Sequence, residues 1–173
     1  MKLASHRLPL MEYIYLTKPF IIAMLLVTAS GGLFVAAKGM PSWQTLLVVL
    51  IGGGMTAGGA SAINNYLDRD IDARMERTHK RPLVRRTVPN IHAVILGIAL
   101  NLVGFIILYL GANVLSALLA IGASLFYILV YTGWLKRSTT QNIVIGGAAG
   151  AMPPLIGVAA VTGGIDLSAF YMF

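Results

Sequence analysis

Along this chain, long stretches without one charged side chain alternate with short segments that hold nearly all of the charge. The uncharged runs occupy 19–37, 39–67, 87–135 and 138–165. Apolar residues fill them almost continuously instead of keeping to one stripe, the pattern of helices surrounded by lipid or by other helices. A helix needs about 20 apolar residues to cross the hydrocarbon core, so the third run is long enough to cross twice. Gly111, Ala112 and Asn113 divide it, because small and polar residues suit a tight turn between adjacent helices. The pattern predicts five spans, at about 19–37, 43–66, 91–110, 114–134 and 143–161, with 167–173 reading as the opening of a sixth. The expected fold class is all-α, a multi-span transmembrane bundle forming one membrane domain over 1–173.

Composition agrees: 57% of residues are hydrophobic and 11% charged, where soluble domains carry about 25% charged residues. The sign of the charge then orients the bundle. With alternating spans, one side receives Lys2, Arg7, Lys18, the seven cations of the 68–90 loop, Lys136 and Arg137, and the other receives only Lys38. Cationic loops stay inside, so the 68–90 loop is expected to be cytoplasmic. The net charge of +7 comes from this bias. It favours anionic headgroups of membrane lipid and an anionic substrate over nucleic acid, since no basic stripe interleaved with aromatics lies outside the loops. Cysteine is absent, which excludes disulfide and thiol chemistry. The first apolar run begins late, after Lys18 and Pro19, and is too long for a signal peptide; no Arg- and Ser-rich transit segment precedes it, which favours a bacterial plasma membrane.

The chemistry concentrates where the second span ends. Asn64, Asp68 and Asp72 follow one another at four-residue intervals, so on a helix they share one face. Clustered carboxylates repel unless a cation neutralises them, and an all-oxygen set suits a hard ion such as magnesium, which commonly shares its coordination with substrate phosphates. Arg74, Arg77, Lys80 and Arg81 follow closely and could neutralise the remaining phosphate oxygens of a diphosphate. An ordinary solvated loop is the plainer alternative, yet it needs no such spacing. A calcium loop fails, because Ala73 stands where its sharp turn needs Gly and His79 where it needs Glu. The glycines of the second span, Gly52 to Gly54, Gly58 and Gly59, have no preceding strand and suit close helix packing rather than a dinucleotide loop; no phosphate-binding GxxxxGK[ST] occurs. In the fifth span Gly146 and Gly150 again suit close packing, and Pro153 and Pro154 predict a kink.

Asn64 to Asp72 reads NxxxDxxxD, and the chain thereby resembles the UbiA superfamily of intramembrane prenyltransferases. The run NNYLDRDIDARMERTHKRPL, with YTGWLKRSTTQNIVIGGAAGAMPPLIGVAAVTG at 131–163, is similar to the branch of that superfamily that farnesylates heme. The resemblance implies that farnesyl diphosphate is bound through Mg2+, that its carbon–oxygen bond ionises, and that a vinyl group of heme B attacks the allylic cation, water supplying the product's hydroxyl. It implies metal ligation by Asn64, Asp68 and Asp72, diphosphate contacts from Lys18, Lys136 and Arg137, and a pocket partly lined by Tyr131 and Asn142, with Asp70 supporting the ligands from outside. Heme A synthase or terminal-oxidase assembly factors are the implied protein partners. Members have about nine spans in two similar halves and a second aspartate motif after the sixth span; this chain stops before it and is expected to be the N-terminal part of such a bundle. His6, His79 and His92 fall in the tail or around the loop, where a solvated role is expected over axial ligation of heme. Two other readings stay open: a UbiA-type enzyme acting on another aromatic acceptor, and a non-catalytic transport or assembly protein, for which acidic residues and kinked Gly-rich helices also serve.

Overall fold

The computed structural model describes residues 9–165 and 167–173. Lys2, His6 and Arg7 lie outside the described residues. Every element among the described residues is helical: α1 (Pro9–Thr17), α2 (Pro19–Ala37), α3 (Trp43–Leu67), a single turn α4 (Arg69–Asp72), α5 (Asn90–Gly111), α6 (Val114–Leu125), a π-helical stretch (Phe126–Leu135), the short α7 (Lys136–Ser138), α8 (Asn142–Thr162) and α9 (Leu167–Met172). Among the described residues five helices are long and apolar enough to cross a membrane: α2, α3, α5, the continuous Val114–Ser138 segment and α8. The five-span, all-α expectation is met, with ends that differ by a few residues. Segment 167–173 contributes a short helix against α8.

Small residues set the packing. In lipid no hydrophobic force separates helix from tail, so helices associate where backbones can approach closely. Helix α3 lies along α5 with Gly52 opposite Gly104 and Gly59 opposite Gly97. A Cβ on Gly104 would stand 2.6 Å from the Gly52 carbonyl oxygen and from the Thr56 hydroxyl. Helix α2 meets α8 in the same way, Gly32 lying on the Pro154 carbonyl and Gly157 on the Ala29 carbonyl. Pro153 and Pro154 lie inside α8, which continues to Thr162. Between these contacts Leu33, Val49, Leu108 and Ile156 fill the centre, while Leu110, Leu129 and Ile143 stand exposed on the outside, as a lipid solvent requires.

Mid-bundle polar groups are satisfied internally. Asn101 donates from Nδ2 to the Gly97 carbonyl and accepts at Oδ1 from Ser124, and Thr56 donates to the Gly52 carbonyl. Unpaired, each would carry a large desolvation penalty. Ends are capped where the sequence offers the cap: Ser42 accepts from the Thr45 amide, and Asn113 from the Ser116 amide in the turn expected between the third and fourth spans.

Segment 68–90 is more than a loop. Helix α1, for which the apolar pattern carried no expectation, lies across its base. Leu16 is buried with Ala62, Leu83, Val88 and Ala93, and Glu12 accepts from the Thr87 hydroxyl. The other side of α1 exposes Leu10, Met11, Ile14 and Tyr15, a face suited to the membrane interface. This platform fixes the chain immediately after Asp68.

Gly104→Val should destabilise the bundle by about 1–3 kcal/mol through overpacking, whereas Gly122→Ala, whose Cβ meets nothing within 4 Å, should leave stability unchanged. Thermal unfolding of both variants in detergent checks the contrast.

Candidate functional site

Helix α3 ends at Leu67, but its hydrogen-bond register runs on: the Asp68 amide donates to the Asn64 carbonyl at 2.9 Å and the Asp72 amide to the Asp68 carbonyl at 2.8 Å. Asn64, Asp68 and Asp72 therefore share one face, and that face points inward. They are 2%, 1% and 3% exposed. Burial on this scale demands partners. Asn64 donates from Nδ2 to Asp68 Oδ2 at 2.8 Å and to the Thr132 hydroxyl at 3.0 Å, and its Oδ1 accepts from Lys18 Nζ at 2.5 Å. Lys136 Nζ pairs with Asp68 Oδ2 at 2.6 Å, and Arg81 with Asp72 Oδ2 at 2.6 Å. The second oxygen of Asp68, Oδ1, is buried without a hydrogen-bond partner.

That unpartnered oxygen tests the residues against a divalent ion. The donors are all oxygen, two carboxylates and an amide, as a hard cation prefers. Among the described residues no three His, Cys, Asp or Glu side chains converge into a metal-binding group. An ion here would take Asn64, Asp68 and Asp72 and draw its remaining oxygens from water or from a ligand. With that division the residues fit magnesium.

Lys18 joins this polar centre to two cavities. One, of about 340 Å3, runs between α2, α3, the 126–135 stretch and α8, lined by Lys18 at its polar end and by Leu26, Gly53, Tyr127, Tyr131 and Pro153 among others. The Tyr127 and Tyr131 rings are stacked with centroids 5.3 Å apart, and Gly146 leaves room for Tyr131. The other cavity, of about 580 Å3, shares Lys18 and Ile21 with the first and is walled by Arg77, Lys80, Arg81 and Arg85. Burial, then Arg81, brings the Lys18 ammonium down to about 8, against the opposing pull of Asp68 and Asp72.

The remaining expected residues are spread more widely. Asp70 points outward, its carboxylate taking both arms of Arg137 at 2.9 and 2.7 Å. That bond holds Asp70 well below the usual carboxylate range. Arg137 also donates to the Leu67 carbonyl, so its guanidinium clamps the end of α3 instead of facing Asp68. Arg77 and Lys80 belong to the second cavity. Arg74 is exposed and lines neither cavity. Asn142 likewise lines neither; its amide donates to the Thr139 carbonyl and closes the turn before α8. His79 Nδ1 lies against the Glu76 carbonyl and His92 against the Tyr13 hydroxyl.

Thr132 and Tyr127 went unrecognised in the sequence. The π-helical stretch explains why: Thr132 donates to the Tyr127 carbonyl five residues back. This wider turn lets Tyr127 and Tyr131 face the cavity while Thr132 reaches Asn64 and Lys136 reaches Asp68. No residue type signals a π register.

A buried Asn and two Asp at a helix end, with amines on their oxygens and an apolar cavity alongside, fit the class of intramembrane prenyltransferases. The chain belongs to the UbiA prenyltransferase family, whose profile matches residues 25–173. It is 54% identical over 162 residues to a protoheme IX farnesyltransferase of Thermus thermophilus, covering 94% of this chain and 27% of that protein. It is likewise 54% identical over 164 residues to protoheme IX farnesyltransferase 1 of Saccharopolyspora erythraea, covering 95% of this chain and 53% of that protein. The chain thus spans between about a quarter and about half the length of these curated relatives. Among solved structures, a UbiA homolog from Archaeoglobus fulgidus bound to DMAPP and Mg2+ superposes with a TM-score of 0.75 at 19% identity, over 92% of this chain and 58% of that one, a likeness of fold.

Thr132→Val leaves one buried N–H of Asn64 without its acceptor. Stability should fall by about 1–3 kcal/mol, read by thermal unfolding against wild type.

Proposed function

We propose that this chain carries the diphosphate-activating part of a heme O synthase, which joins farnesyl diphosphate to heme B and releases diphosphate. The observation that carries the proposal is the buried Asp68 carboxylate, with one oxygen held by Lys136 and Asn64 and the other unpartnered, next to a cavity that Lys18 and two tyrosines line. Protoheme IX farnesyltransferase is the name its relatives bear, and the structural neighbour is described as bound to DMAPP and Mg2+. Both support the reading.

Ionising an allylic diphosphate places negative charge on the departing group, and preorganised charge aimed at that group is the largest contribution an enzyme can make. Asn64, Asp68 and Asp72 would hold magnesium, which when bound supplies Lewis-acid neutralisation of the phosphate oxygens. Lys136 and Arg81 pair with the carboxylates and Lys18 with the Asn64 amide oxygen, and all three lie within reach of a diphosphate set among them. The cavity from Leu26 to Pro153 takes the prenyl chain, and its apolar walls keep water from the cation. Tyr127 and Tyr131 present ring faces that attract positive charge. The vinyl group of heme B forms the new carbon–carbon bond with the allylic cation left when diphosphate departs, and water adds to the resulting vinyl-derived cation and loses a proton to give the product's hydroxyl. Handover of the product to a heme A synthase or to oxidase assembly belongs to the same proposal.

Asp68→Asn should lower turnover by about 10²–10³-fold while helix content and melting stay close to wild type. Magnesium-dependent release of diphosphate from farnesyl diphosphate is the measurement, with a farnesylated porphyrin when heme B is supplied. Wild-type rates in the variant would discard the site. Release of diphosphate with no porphyrin product would move the acceptor to another aromatic compound.

The same reading places segment 68–90 on the cytoplasmic face. Because the chain has no cysteine, Arg74→Cys gives a unique exposed thiol. It should react with an impermeant maleimide in inverted membrane vesicles and stay unlabelled in right-side-out ones.

A further inference from the structure

The second cavity has a composition that the diphosphate site does not explain. Lys18, Arg77, Lys80, Arg81 and Arg85 line it together with one carboxylate, Glu12. Glu12 is buried and bonded to Thr87. Among the described residues the three ion pairs engage Arg81, Lys136 and Arg137, so Arg77, Lys80 and Arg85 have no carboxylate within ion-pair distance. Three exposed, unpaired cations on one wall repel one another unless an anion joins them. The rest of the lining is different in kind and includes Pro19, Phe20 and Ile21 at the start of α2, with Phe20 exposed.

A cleft with one cationic and one apolar wall matches an amphipathic ligand, flat and greasy on one side and acidic along an edge. With Glu12 already committed, the cleft lacks the paired carboxylates that would hold a metal-bridged diphosphate, and its arginines offer the planar fork that binds a carboxylate through two hydrogen bonds. Lys18 and Ile21 line both cavities, so a ligand seated here lies next to the polar end of the prenyl cavity.

We infer that this cleft is a carboxylate-recognising subsite, in which Arg77, Lys80 and Arg85 hold the acidic edge of the acceptor while its ring lies along Phe20 and Ile21. The inference rests on the proposed function for the identity of that acceptor, heme B, whose porphyrin carries two carboxylates. It separates the four loop cations that line the cleft into two groups, Arg81 paired with Asp72 and the other three turned to the acceptor.

The test uses the chain in lipid nanodiscs with three probes: ferric heme B, its dimethyl ester with both carboxylates capped, and inorganic pyrophosphate with Mg2+. In the triple variant Arg77→Gln, Lys80→Gln, Arg85→Gln, affinity for heme B should fall tenfold or more. The ester should bind both proteins equally weakly, and magnesium pyrophosphate should bind both within twofold. All three positions are exposed, and an unchanged melting temperature checks the fold. Equal heme affinity in variant and wild type, or an ester that binds wild type as tightly as the free acid, overturns the subsite and leaves the proposed reaction standing. A parallel loss of pyrophosphate affinity also overturns it, by returning these cations to the diphosphate. If the variant instead loses co-purifying phosphatidylglycerol and keeps its heme affinity, the cleft is a lipid headgroup site and the inference falls. Wild-type chain that binds magnesium pyrophosphate but neither form of heme overturns the acceptor in the proposed function itself.

Discussion

A carboxylate withdrawn from water at the end of a membrane helix governs this arrangement. Asp68 is 1% exposed, and an isolated charge at such depth would lose several kcal/mol of hydration. Its Oδ2 is bonded by a lysine 68 residues further along the chain and by an amide one turn back on its own helix. Each partner is in turn fixed by others: Lys18 and Thr132 bond Asn64, and Lys136 emerges from the π-helical stretch. Two donors, Lys136 and Asn64, therefore converge on a single oxygen, with Lys18 and Thr132 holding Asn64 in place. The other oxygen is left without a donor, and in a low-dielectric interior such an unpaired acceptor is costly.

The helix opposite shows what this convergence demands of backbone. A regular α-helix would separate the side chains of Tyr127 and Thr132 by well over one turn. Within the π-helical stretch, where the Thr132 hydroxyl donates to the Tyr127 carbonyl, one segment serves the cavity with its tyrosines and the aspartate cluster with Thr132 and Lys136. Such widenings are poorer in packing than the α-helix and recur at functional sites. The close contacts of Gly59, Gly97 and Gly104 elsewhere hold α3 and α5 rigidly together, which gives the irregular segment a fixed surface to lie against.

Features that depend on local pattern were legible in the sequence. Continuous apolar runs gave the five spans, because lipid imposes one length and one composition on every crossing. The four-residue spacing of Asn64, Asp68 and Asp72 gave their common face, because helical register persists through the end of α3. Features that depend on tertiary placement were hidden. Arg137 and Lys136 are adjacent in sequence, yet one grips an exposed carboxylate and the other a buried one. Arg77, Lys80 and Arg81 read as one basic cluster and all three line the second cavity, but only the fold shows that Arg81 also pairs with Asp72. Asn142, which the family resemblance made a candidate lining residue, is occupied with closing its own turn.

Lys18 shows the cost that this division carries. It adopts a left-handed conformation, φ 56° and ψ 62°, at a position before proline where a residue normally stays extended. Non-glycine residues held in such regions are disfavoured by about 1–3 kcal/mol and persist when their surroundings determine them. Here the surroundings are plain: α1 must end at Thr17 to keep Leu16 in its buried cluster, and α2 must start at Pro19 to lay its apolar length along α8. The sharp reversal between them turns the ammonium inward onto Asn64 and leaves it on the boundary between the two cavities. A lysine on an ordinary extended linker would reach water. Strain at one residue thus puts the same positive charge where an anion in the prenyl cavity and an acceptor in the basic cleft would both meet it.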